Sequence, residues 1–159
     1  MNHAKILFIL ICFLGISACS DRNGSGSPED QETFDKTKAL ILEGFAKGDV
    51  DAVLMMHHPD VVKYFGGKNI VMGREGLKKQ LTDMFSYAKT EFIENKIEST
   101  VFNDDAVIET SIFAIRSIPK NGDSNRIFRG RSMVVYVRYK DSPTGWASLR
   151  EMTQEEPDK

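Results

Sequence analysis

The apolar positions of this chain recur first at the spacing of helices and then at that of strands, with the change near residue 91. Phe34, Ile41 and Phe45 keep one face of a helix apolar over residues 29–47, and Gly48 stands where a left-handed C′ residue would end it. Asp49 caps a short second helix that carries Val50, Val53 and Leu54 and stops before Pro59. Residues 61–65 and 70–72 flank Gly66-Gly67 as a small hairpin-like excursion. Gly73-Arg74-Glu75 then opens a third helix, in which Leu77, Leu81, Met84 and Phe85 fall on one stripe.

From there Ile93, Ile97 and Val101 alternate with Glu94, Lys96 and Glu98, and Asn103-Asp104-Asp105 makes a turn. A β-rich run over 106–118, a polar loop at 119–125, a long strand over 126–140, a turn at 141–145 and a last strand over 146–153 follow. Four consecutive strands with short connections predict an antiparallel meander. Helices followed by strands predict an α+β layer fold, with N-terminal helices packed on a curved, mainly antiparallel sheet of four to six strands. Two strands are apolar on both faces for part of their length. Such a sheet is covered twice, by helices on one side and by a subunit or loop on the other.

The first eighteen residues obey another logic. Lys5 precedes an unbroken apolar run over 6–13, which is short for a permanent bilayer span and predicts a secretory signal. Ile16-Ser17-Ala18-Cys19 resembles the bacterial lipobox, which implies cleavage before Cys19 and diacylation of its thiol. The chain therefore divides into a signal at 1–18, a flexible tether at 19–31, one domain at 32–154 and an acidic tail at 155–159. The anchored domain faces the periplasm. Ser20 after the cysteine favours the outer membrane, by resemblance to enterobacterial sorting.

Charge and cysteine usage narrow the chemistry. Of 159 residues, 21 are Lys or Arg and 23 are Asp or Glu, so no global field draws the chain to nucleic acid. Arg116, Lys120, Arg126, Arg129, Arg131 and Arg138 form a basic run with Phe128 and Tyr136, but strand parity splits them over two faces. Cys12 leaves with the signal and Cys19 is consumed by lipid. A thiolate nucleophile, a Cys-ligated zinc and a disulfide framework are thereby excluded. His57 and His58 beside Asp60 are residue types that bind metals, yet adjacent histidines point different ways. No metal and no cofactor are assigned.

The element order resembles the nuclear transport factor 2-like cone, a cystatin-like fold shared by ketosteroid isomerases and SnoaL-like proteins. His58-Pro59-Asp60-Val61-Val62 resembles that family's element after the second helix, and Gly73-Arg74-Glu75-Gly76-Leu77 its third-helix start. Gly130-Arg131-Ser132-Met133-Val134-Val135-Tyr136 and Gly145-Trp146-Ala147-Ser148-Leu149-Arg150 resemble its last two strands. The resemblance implies a carboxylate base in the first strand, where this chain has Lys63, Tyr64 and Phe65. It also implies histidine on the last strand, where this chain has Arg150 and Met152. Binding without catalysis is the resulting expectation.

The candidate site follows from strand parity. Arg150 shares parity with Trp146 and Ser148, so a cone-facing Trp146 implies a cone-facing Arg150. A guanidinium on an apolar floor suits a carboxylate or phosphate, held bidentately. With Arg131, Tyr64 and His57, these residues predict a pocket for a small amphipathic or anionic molecule. The arginines alternatively pair with Glu151 or Glu109 on a solvated face. Two other functions stay open: an isomerase- or hydrolase-like enzyme built on Tyr64, His57 and Arg150 in the same pocket, and a dimeric protein-interaction adaptor whose sheet face docks a partner protein or a second copy of itself.

Overall fold

The computed structural model describes residue 24 and residues 26–156. The signal and Cys19 lie outside the described residues. Helix α1 spans Pro28–Lys47, and Ser27 caps it: the Ser27 hydroxyl accepts from the Asp30 amide while Asp30 accepts from the Ser27 amide. Pro28 in the first turn and Gly48 in left-handed geometry, at φ 67°, complete its two ends. The helix thus begins inside the segment expected to be tether, because Ser27-Pro28-Glu29-Asp30 is itself a helix start. Helix α2 spans Val50–Met55 under the Asp49 cap, and α3 spans Gly73–Tyr87 with Leu77, Leu81 and Phe85 buried.

Six strands form one curved sheet in the order β2-β1-β6-β5-β4-β3. They are β1 (His57–Phe65), β2 (Asn69–Met72), β3 (Ala88–Asn103), β4 (Ala106–Pro119), β5 (Arg126–Arg138) and β6 (Trp146–Glu155). The last four make the expected antiparallel meander, and β6 then pairs with β1 in parallel. Strand β3 begins three residues earlier than the alternation suggested. Gly130 lies where β5 approaches β6 so closely that a Cβ would meet the Gln154 carbonyl oxygen at 2.2 Å.

Two apolar clusters hold the helices on the concave face. Val53, Val61, Leu77, Leu81 and Phe85 join α2 and α3 to β1. Phe34, Val107, Tyr136 and Trp146 join α1 to the far end of the sheet. In the second cluster the Phe34 ring stands edge-on to Tyr136 at 4.9 Å and to Phe102 at 5.5 Å. Trp146 donates from Nε1 to Thr33 Oγ1 at 3.1 Å, and the Arg138 guanidinium lies 3.9 Å over its ring. Burial of each such aromatic contributes on the order of 2–3 kcal/mol, and together they fix the angle of α1 across the strands.

Candidate functional site

Between the two clusters the concave floor is polar. Register places Val71, Lys63, Glu151, Val134, Glu109 and Thr100 in one row across all six strands. Lys63, nearly buried, pairs with Glu151. At the other end Lys38, projecting from α1, bonds Glu109 at 2.8 Å, and Thr100 donates to the same carboxylate oxygen at 3.1 Å. Each carboxylate on this row therefore has its own lysine. A neighbouring row carries His57, Ser148, Tyr136, Val107 and Phe102. On the other side lie Thr153, Ser132 and Ser111, with a hydroxyl–hydroxyl bond of 2.9 Å between the serines.

Environment sets the protonation of these groups. Burial pushes the Tyr136 hydroxyl far above the usual phenol range, and the charges of Glu109 and Glu151 add to the effect, so it stays a neutral donor. Burial and then the Lys63 ammonium hold His57 well below the imidazole range. Its Nδ1 lies 2.7 Å from the Val53 carbonyl, which can only accept, so the neutral ring is protonated there. Ser148 Oγ is buried beside it with no hydrogen-bond partner among the described residues. Burial pulls Lys38 down, but its bonds to Glu109 and Asp35 outweigh this and leave its pKa raised.

The sequence-derived residues divide between the two faces. Trp146, His57 and Ser148 face inward and are buried, Trp146 as part of the aromatic core. Arg150 does not face inward. Ser148 pairs with Tyr136 and Arg150 with Val135, so Leu149 is an extra residue in β6, a bulge that inverts the alternation after it. Arg150 is exposed on the convex face, donating to the Asp60 and Leu149 carbonyls at 2.8 Å each. Tyr64 lies on that face too, and Arg131 bonds Glu98 there at 3.2 Å. Arg129 pairs with Glu94, so the arginines meet strand β3 and neither Glu151 nor Glu109. Tyr64, His57 and Arg150 accordingly form no common site. His58 accepts from the Asp60 amide, away from His57.

The inversion brings in groups the parity argument missed. Glu151 takes the inward place expected for Arg150, and Lys63 meets it from β1. Access lies along the seam between α1 and β3. A hollow of about 290 Å³ is lined by Gln31, Phe34, Asp35, Lys38, Thr100 and Phe102. Further along the same helix a second, of about 500 Å³, is lined by Leu42, Ala46 and β3 residues 89–93. Both fall near or within the usual range of small-molecule sites, ~300–1,000 Å³.

No protein-family model matches the chain, and no curated protein matches it in sequence. Solved structures match it in fold. A ketosteroid isomerase-like protein from Erwinia carotovora atroseptica superposes with a TM-score of 0.69 at 15% identity, over 83% of this chain and 100% of that one. A nuclear transport factor 2-like superfamily protein from Salmonella enterica gives 0.64 at 12%, over 82% and 92%. A conserved protein from Planctomyces limnophilus gives 0.71 at 18%, over 80% and 98%. The fold is the nuclear transport factor 2-like cone.

Proposed function

We propose, from the cone fold shared with these structures, that the protein is a lipid-anchored envelope domain. It holds an uncharged, elongated amphipathic molecule in the seam between α1 and β3. One observation carries the reading. The two hollows lie along one helix–strand line, apolar at one end through Leu42, Ala46, Phe92 and Ile93 and at the other through Phe34 and Phe102, with Lys38, Glu109 and Thr100 between them. Charge balance favours a neutral ligand: Asp35, Glu91 and Glu109 are each paired with Lys38, Lys89 or Arg116. Among the described residues an anionic ligand would find no unpaired cation on that line, since Lys38, Lys89 and Arg116 are paired there and Arg150 and Arg131 lie on the other face.

A stability role alone would not select this floor. Buried ion pairs are often no better for stability than apolar residues of the same volume, because desolvation offsets the Coulomb attraction. The polar row thus fits recognition of a hydroxyl or carbonyl, with Lys38 and Thr100 as donors and Glu109 as acceptor. Anchoring rests on the Ile16-Ser17-Ala18-Cys19 run, a few residues ahead of the domain.

Native mass spectrometry of the full-length protein extracted from its own membrane tests both halves. The expected polypeptide begins at a diacylated Cys19 and carries a neutral co-purifying species. Ala46→Trp, at an exposed position, should fill the larger hollow and lose that species with circular dichroism unchanged. A ligand-free wild-type protein, or equal retention by the variant, would reject the seam; an unmodified Cys19 would reject the anchor.

A further inference from the structure

Just ahead of α1, Gly24 and Gly26 are held at the rim of the smaller hollow. The Phe102 amide donates to the Gly24 carbonyl at 2.9 Å, on the free edge of β3. Gly26, at φ 68°, lies so close to the Phe102 ring that a Cβ would meet it at 2.6 Å. Gln31 Nε2 reaches back to the Gly26 carbonyl at 3.4 Å. Phe102 and Gln31 both line that hollow, so the chain leaves the domain beside its mouth.

The length of chain left over is short. Gly24 follows Cys19 by five residues, a span of ~18 Å at full extension. The headgroup layer on one side of a bilayer takes up roughly 5–8 Å of that. With Cys19 acylated, the rim of the hollow therefore lies within about 10–13 Å of the headgroups. That is less than the ~14 Å radius of gyration of a domain this size. A tether running to residue 31 would instead extend about 40 Å and leave the orientation of the domain open.

We propose that the mouth of the seam is held at the bilayer surface and takes its ligand from the bilayer, the ligand being a neutral single-chain lipid of the monoacylglycerol type. The inference rests on the seam and on the acylated Cys19 proposed above. Hydroxyl and ester groups of such a lipid meet Lys38, Thr100 and Glu109, and its acyl chain lies against Leu42, Ala46, Phe92 and Ile93. A single chain matches a slot bounded by one helix and one strand. Each methylene exposed to water costs about 0.8 kcal/mol, so a lipid crosses a narrow gap far more readily than open solvent. Exposed Asp104 and Asp105, at the turn beyond Phe102, oppose entry into anionic headgroups, so this end stands on the surface without sinking into it.

The test uses the acylated full chain in phosphatidylethanolamine–phosphatidylglycerol vesicles that contain a diazirine-bearing long-chain monoacylglycerol. Irradiation should attach the probe to the α1 and β3 peptides that border the hollows. Inserting about twenty Gly/Ser residues between Ser20 and Asp21 should lower the yield from vesicles about tenfold, as effective concentration falls with tether length. The yield from detergent micelles should not change. A fluorophore on Asp104→Cys should be quenched by lipids with a nitroxide headgroup. One on Ser124→Cys, in the loop at the opposite end of β3 and β4, should not. Equal quenching at both positions, or vesicle labelling that the insertion leaves unchanged, overturns the membrane route while micelle labelling upholds the seam. Absence of adducts from micelles as well as vesicles rejects the seam itself and this inference with it.

Discussion

His57 shows how one buried side chain sets the pH response of the domain. Folding holds its imidazole neutral, because burial and the Lys63 ammonium oppose a second proton. The unfolded chain takes that proton near pH 6.5. Below that pH the unfolded state therefore binds more protons than the folded one, and stability falls as the pH drops, by up to about 1.4 kcal/mol per unit. His57→Asn keeps a donor toward the Val53 carbonyl and removes the titration. Urea unfolding between pH 6.5 and 5 should show a shallower loss for the variant; parallel slopes would mean that His57 is not the responding group. Lys38 works at the opposite end of the scale. Its raised pKa means that its contribution to stability is present throughout neutral pH and is lost only as the pH rises past the ordinary lysine range.

At the scale of elements, local signals placed most boundaries and long-range pairing placed the faces. The stripe of Leu77, Leu81 and Phe85 on α3, the Asp49 cap and the Gly48 stop are all as the pattern indicates, because each depends on residues within one or two turns. The start of α1 was equally local, in the reciprocal Ser27–Asp30 cap. Ser27→Ala should cost about 1 kcal/mol, or roughly 2–4 °C in the thermal midpoint of a domain this size, read by calorimetry. A larger loss would reveal that Asp30, which also binds Arg138, had moved as well. The inward set on β6 was not legible, since Leu149 is an ordinary strand residue and only pairing with Val135 and Tyr136 marks it as the extra one.

Across the whole molecule, the charged row separates two apolar clusters and ties both ends of the sheet together. Removing one member of the Lys63–Glu151 pair leaves an uncompensated charge between those clusters. Glu151→Ala should therefore destabilise by about 3 kcal/mol, the lower end of the range for breaking buried pairs, because the carboxylate is 18% exposed. Lys63→Met/Glu151→Leu should recover most of that loss in chemical denaturation, while failure of the double variant to recover would point to a packing role instead. The sequence by itself determined the class of fold: a change of period from helix to strand, helix caps and short turns dictate helices followed by a meander, and these act between neighbours. Tertiary structure decided which residues share the concave floor. Side chains alternate every second residue along a strand, so one unpaired residue reverses everything after it without altering the local pattern of apolar and polar positions. That reversal put Glu151 inside with Lys63 and left Arg150 on the outer face.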